Sequence, residues 1–141
     1  MLQFIQYLLN IPKDSLPEIK PSLYNYGTNS DLLSDVPITS VLGDQQAALF
    51  GHNCINSGDV KNTYGTGCFM LLNTGDKPVF SKNRLLTTIA SQLDGEKKYA
   101  LEGSIFNAGT SVQWLRDGLK IIKNASESDL LAAQANKNSS V

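Results

Sequence analysis

Three short stretches carry side chains whose types and spacing could do chemistry. In the first, Leu42-Gly43-Asp44-Gln45-Gln46, a carboxylate stands between an apolar, β-branched run and a helix-favouring one. α/β folds commonly place ligand sites just past the carboxyl end of a strand, so Asp44 is a candidate site residue. The same position suits a helix N-cap, for which Asp is among the best residues. The consecutive amides of Gln45 and Gln46 offer donors and acceptors together, which suits a polyhydroxyl ligand. In the second stretch, residues 62–69 (NTYGTGCF), Gly65 and Gly67 flank Thr66. Glycines admit close backbone approach, and successive N–H groups in a tight turn form an anion-binding concavity into which Thr66 could add a hydroxyl. A plain hairpin turn explains the same residues, and no Gly-Lys-Ser/Thr follows, so this is not a Walker loop. The third, residues 108–114 (AGTSVQW), opens the best helix pattern in the chain. A helix N-terminus favours anions; Gly109 would let a nucleotide lie against the backbone, with Gln113 one turn further on. Ordinary capping by Thr110 or Ser111, with Trp114 packed inside, is the alternative.

The surrounding pattern indicates what must hold these residues. Pro12, Pro17 and Pro21 make residues 11–35 an extended connector. Residues 36–42 (VPITSVL) read as a buried strand, and 45–52 (QQAALFGH) as a helix. Residues 60–64 and 68–73 form a hairpin around Gly65-Thr66-Gly67, and 86–92 with 98–102 a second pair around Asp94-Gly95. From Gly109 the period changes: Val112, Leu115, Leu119 and Ile122 make one helical stripe. A short helix is expected around 130–135, with a frayed end at 136–141. The order of elements is α/β, with a boundary between two lobes near residues 52–58.

Composition narrows the function classes. The 141 residues are 41% hydrophobic and 18% charged with a formal net charge of −1, as in soluble globular domains. No basic, aromatic-interleaved run is present, so nucleic acid is not an expected partner. Cys54 and Cys68 lack CxxC spacing and His52 is the single histidine, too few for a zinc site of about four ligands; no metal ligand is assigned. Residues 1–10 (MLQFIQYLLN) have no positive n-region and fall short of the ~20 apolar residues of a membrane span. They read as an amphipathic helix with Leu2, Ile5, Leu8 and Leu9 on one face, and the cytoplasm is the expected location, with both thiols reduced.

Weak singly, these signals are specific in combination. Residues 43–51 (GDQQAALFG), 61–71 (KNTYGTGCFML), 85–90 (LLTTIA), 99–103 (YALEG) and 113–117 (QWLRD) closely resemble the glycerol kinases of the FGGY carbohydrate-kinase family. The resemblance covers roughly residues 16–123. It implies a fragment of a two-lobed, actin-like ATPase fold with ribonuclease-H-like lobes and a cleft site. Residues 1–53 would close the N-terminal lobe and 57–141 open the C-terminal lobe. The implied activity is ATP-dependent phosphorylation of glycerol to sn-glycerol 3-phosphate in glycerol metabolism, with ATP and Mg²⁺. By the family pattern Asp44 is the general base and contacts glycerol, Gln45 holds glycerol hydroxyls and Phe69 packs on its carbons. Gly65 and Thr66 reach the γ-phosphate, and Gly109 and Gln113 contact the nucleotide. Family members often form homo-oligomers.

Other parts of the family pattern lie outside these residues: the Asp-x-Gly-Thr-Thr phosphate loop, the Arg-Glu pair with a Trp and a Tyr that enclose glycerol, and the Gly-rich adenosine segment. Asn83-Arg84 replaces the usual Gly before Leu-Leu, a surface-turn change. The 141 residues alone are therefore expected to be inactive. The competing readings are a catalytically inactive fragment or isoform with a binding role, and a kinase of the same family acting on another polyol.

Overall fold

Alternation of side chains along two hairpins, and one helix laid on the sheet they make, account for the core cluster of Leu49, Leu71, Ala90 and Ala100. The computed structural model describes residues 7–29 and 35–135. These fall into two compact units: the first holds the described residues up to Val41 together with Leu93–Gly95, and the second holds Leu42–Gln92 with the described residues from Glu96 onward.

In the first unit residues 7–9 are helical; Leu2 and Ile5 of the expected amphipathic helix lie outside the described residues. A single 3₁₀ turn, Lys13–Ser15, follows. Two-residue strands β1 (Thr28–Asn29) and β2 (Val36–Pro37) pair antiparallel. The ladder runs on irregularly through the Leu23–Ser40 bridge and backbone bonds from Tyr24 to Thr39 and from Tyr26 to Ile38. The buried strand expected over 36–42 is therefore corrected. Only its first two residues are strand, and Val36, Ile38 and Val41 are 46%, 42% and 54% exposed. Pro37 cannot donate to a ladder, and a two-stranded ribbon has no second layer to bury its side chains.

The second unit begins with helix α1 (Asp44–Gly51), then β3 (Val60–Tyr64), β4 (Cys68–Gly75), β5 (Leu86–Leu93) and β6 (Glu96–Ile105). The four strands form one sheet in the order β3-β4-β6-β5. Both hairpins fall where the Gly-containing turns predict. In the second, Asp94 (φ 47°) and Gly95 (φ 84°) are both left-handed, the type I′ geometry that matches strand twist. Register places Lys61 opposite Leu71 and Thr63 opposite Phe69, with Leu71 opposite Glu102 on β6. Lys61, Thr63, Phe69 and Leu71 consequently share one face, and α1 packs on it. Leu49 of the helix, Leu71, Ala90 and Ala100 form the core, with Cys54 against them.

Past the sheet, α2 (Gly109–Gln113) runs directly into a π-helical turn, Trp114–Gly118. The long helix expected from Gly109 through Ile122 is thus shorter and wider. Leu119 N–H bonds the carbonyl of Trp114 at 2.9 Å, Ile121 N–H that of Leu115 at 3.1 Å, and Lys120 turns left-handed (φ 56°). Ile122 is buried although it lies beyond the helix, whereas Leu119 is exposed. The last element, α3 (Ser126–Gln134), begins earlier than expected because Asn124 and Glu127 hold its start. The Asn124 side chain accepts the Glu127 N–H, and the Glu127 carboxylate accepts the Lys123 N–H, a reciprocal arrangement akin to a capping box. Residues 136–141 are outside the described part. Among the described residues no helix is long and apolar enough to cross a membrane.

Leu71 is fully buried at the centre of this small core. Leu71→Ala should lower the free energy of unfolding by ~2–5 kcal/mol, read as a fall in the urea midpoint at unchanged slope; a loss under about 1 kcal/mol would mean the helix–sheet contact is not what holds the unit together.

Candidate functional site

Asp44 opens α1, but it is not the N-cap. Gly43 holds that position in extended backbone (φ −64°, ψ 152°) with no side-chain cap, and the Asp44 carboxylate accepts the N–H of Gln45 at 2.8 Å. The capping explanation for Asp44 is thereby set aside; its carboxylate is exposed in the first turn of the helix, where the helix dipole favours a negative charge.

Gln45 is held by a residue that the sequence did not single out. Lys61, on β3, is 5% exposed. Its ammonium donates to Gln45 Oε1, to Thr63 Oγ1 at 2.8 Å and to the Phe69 carbonyl at 3.4 Å. An ammonium has three donors and no acceptor, so this set uses it fully and forces the oxygen end of the Gln45 amide inward. Thr63 Oγ1 also donates to that oxygen at 3.3 Å. The Gln45 NH₂ group takes no part in these bonds. Burial lowers the Lys61 pKa below the usual lysine value, against the neighbouring charges of Asp44, Glu102 and Cys54, which raise it. Phe69 is half-buried on the same sheet face, so the structure brings Gln45, Lys61 and Phe69 to one place with Asp44 beside them. The available signal was strand alternation: it puts Lys61 on the face of Leu71, where a lysine is out of place unless it has partners.

The other two stretches meet at a second junction. The Gly65-Thr66-Gly67 turn lies on the start of α2. The N–H groups of Ala108 and Thr110 donate to the Thr66 carbonyl at 2.9 and 3.2 Å, as does Thr110 Oγ1 at 2.6 Å, and Gly109 N–H donates to the Gly65 carbonyl at 2.9 Å. The first amides of α2 are therefore spent on the turn rather than open to an anion. The glycines are explained by the same contact. A Cβ at position 109 would lie 2.6 Å from the Gly65 oxygen, and one at 67 would lie 2.6 Å from the Ile105 oxygen; at 65 nothing comes closer than 3.9 Å. Gly67 and Gly109 thus let backbone approach backbone. The Thr66 side chain is exposed. On the outer side of α2, Gly109, Val112, Gln113, Arg116 and Ala125 line a cavity of about 310 Å³; Arg116 is a second residue that the sequence reading passed over. Among the described residues no group of three His, Cys, Asp or Glu side chains could hold a metal ion.

Residues 60–141 match the C-terminal domain of the FGGY family of carbohydrate kinases. The chain is 55% identical over 136 residues to a glycerol kinase of Clostridium botulinum (strain Langeland), covering 95% of this chain and 27% of that protein. It is 58% identical over 128 residues to a glycerol kinase of Burkholderia multivorans, covering 89% and 26%. Among solved structures, Plasmodium falciparum glycerol kinase with ADP superposes with a TM-score of 0.81 at 39% identity over 94% of this chain and 27% of that one. A xylulose kinase from Rhodospirillum rubrum shares the fold, with a TM-score of 0.69 at 20% identity over 94% of this chain and 28% of the other. The chain spans about a quarter of the length of these relatives.

Gly109→Ala should separate the turn from α2. The added methyl meets the Gly65 carbonyl at 2.6 Å, an overlap that typically costs ~1–3 kcal/mol. The expected outcome is that loss in urea unfolding, with faster exchange of the backbone amides at positions 108–110; unchanged exchange would mean the junction is not tight.

Proposed function

Because the chain belongs to the FGGY family of carbohydrate kinases, we propose that it forms the central part of a glycerol kinase, transferring the γ-phosphoryl group of ATP to glycerol. Residues 1–53 then close one lobe and 57–141 open the other, in a cytoplasmic enzyme. The observation that carries the reading is the Asp44-Gln45 pair, in which the amide is held by Lys61 through its oxygen and the carboxylate beside it is exposed. Such a pair suits a polyol, since the amide gives hydrogen bonds to hydroxyl oxygens and the carboxylate takes one from a hydroxyl proton.

In this mechanism Asp44 accepts the proton of the terminal glycerol hydroxyl as that oxygen attacks the γ-phosphorus. Gln45 donates to neighbouring hydroxyls and Phe69 lies on the carbon chain. Thr66 donates its exposed hydroxyl to the γ-phosphate at the tip of the turn, with Gly65 leaving room for the phosphate beside it. Gly109 and Gln113, with Arg116, offer a wall for the nucleotide in the cavity along α2. Phosphoryl transfer has a loose transition state, so positioning and charge stabilisation do most of the catalysis. Mg²⁺ would neutralise phosphate charge; it commonly rides on phosphate oxygens with only one or two carboxylates, and the described residues build no cage for it.

Two outcomes test the reading. In a complete kinase made by exchanging the matched segment of the C. botulinum enzyme for this chain, Asp44→Asn should lower kcat ~10²-fold or more with little change in KM for ATP. Near-parental turnover would remove Asp44 from the mechanism. Residues 1–141 alone should show no glycerol-dependent ADP release with saturating glycerol and Mg-ATP, because fixing all reacting groups in one geometry supplies ~7–11 kcal/mol of a barrier. Turnover near an ordinary enzyme's ~10 s⁻¹ would mean these residues hold a self-contained site.

A further inference from the structure

Lys61 touches neither substrate nor nucleotide in the mechanism above, yet it is one of two buried polar or charged side chains among the described residues, the other being Asn73. Asn73 has a structural explanation: it donates to the Cys54 carbonyl at 3.0 Å and accepts the Gly75 N–H at 2.8 Å, across an irregularity in β4. Lys61 needs another. We infer that Lys61 is a positioning residue for the glycerol site: its buried ammonium, shared among Gln45 Oε1, Thr63 Oγ1 and the Phe69 carbonyl, orients the Gln45 amide toward the substrate and ties the first turn of α1 to the β3–β4 hairpin.

Three observations support this, and the inference rests on the glycerol-kinase reading for the identity of the substrate. Burying an ammonium is costly even when it is fully hydrogen-bonded, and a buried polar cluster replaced as a whole by apolar groups is often as stable or more so. Stability alone is then a poor reason for a lysine at this position. Its three acceptors come from two elements, α1 and the β3–β4 hairpin, and they include the residues that flank the proposed substrate: Gln45 by its side chain and Phe69 by its backbone. The bond to Gln45 also has a polarity. Because lysine can only donate, it fixes which end of the amide faces outward. A Gln45 freed from it could present either its oxygen or its NH₂ group to a hydroxyl, and the preference for substrate oxygens would be lost.

The test compares Lys61→Met with its parent in the exchanged kinase and in residues 1–141. Methionine keeps the length and removes the charge. The expected result is a rise of about tenfold or more in KM for glycerol, with KM for ATP within about twofold, even though the acceptors left without a donor lower the thermal midpoint of the 141-residue chain. Unchanged KM for glycerol would overturn the inference. So would glycerol and ATP constants that worsen by similar factors, since that pattern belongs to a residue that only supports the fold. A readout independent of turnover is the side-chain ¹⁵N order parameter of Gln45 in residues 1–141. It should fall from rigid in the parent to mobile in Lys61→Met; equal rigidity in both would overturn the positioning role. If the parent kinase fails to phosphorylate glycerol, the substrate reading fails, and the Gln45 measurement alone decides whether Lys61 positions that amide.

Discussion

A lysine ammonium buried beneath a helix must find acceptors, and the site end of this chain is arranged around the three that Lys61 finds. The ammonium lies on the face of the sheet that α1 covers, because strand alternation gives Lys61 the same direction as Thr63 and, across the register, Leu71. Leu49 and Leu71 bring α1 down onto this face, and the polar contact at its N-terminal end then decides how the first turn is set. Apolar packing fixes the distance between helix and sheet; the ammonium fixes which atoms of Gln45 look out. The first is non-directional, whereas the second is directional and therefore suited to recognition.

A similar division of labour holds at the other end of the hairpin. The Gly65-Thr66-Gly67 turn has no apolar side chain with which to pack, so it is held by hydrogen bonds from the backbone of residues 108–110. Bonds of that kind need close approach, and the absence of a side chain at 67 and 109 provides it. The glycine pattern that reads as a phosphate cradle is thus first a requirement of chain against chain. Any anion at this turn meets the exposed Thr66 side chain, because the amides of Gly109 and Thr110 are already engaged.

Much of the second unit was legible, and the reasons are local. Gly65, Gly67 and Asp94-Gly95 announce reversals, and the β-branched and apolar runs on either side have strand lengths. What failed depended on partners that a local pattern does not contain. The 36–42 run has strand chemistry, but whether a second layer covers it is not written in those residues. The stripe from Val112 to Ile122 has a helical period, yet the backbone widens at Trp114–Gly118 and reaches the burial of Ile122 by another route. At Asp44 the better capping side chain lost to Gly43, since the carboxylate instead bonds the next N–H. Lys61 was hidden for the opposite reason: a lysine in a strand reads as a solvent-facing residue until its three acceptors, one of them sixteen residues away, are placed around it. For the site, Asp44 and Gln45 stood out in the sequence, and the structure adds what holds Gln45.

The two junctions both lie in the second compact unit, and this bears on how the proposed kinase would set its reacting distance. Lys61 and Thr63 grip Gln45 on β3, Phe69 stands opposite Thr63 on β4, and Thr66 is the tip of the turn between them. From Thr63 or Phe69 to Thr66 is three residues, which at ~3.3 Å each is at most about 10 Å. A polyol held at the Gln45 amide and a phosphate held at the Thr66 hydroxyl would then be spaced by a two-stranded hairpin closed by backbone hydrogen bonds. The same turn is bonded to α2, so a nucleotide wall at Gly109 and Gln113, as proposed, would follow the phosphate seat rather than move independently of it. In such an arrangement the separation between attacking oxygen and phosphorus would depend on the buried Lys61–Gln45 contact, which holds α1 of the one proposed lobe against the hairpin of the other. A flexible side chain reaching across an opening would set it far less tightly, and a positional error of about 1 Å is enough to cost ~10²-fold in rate.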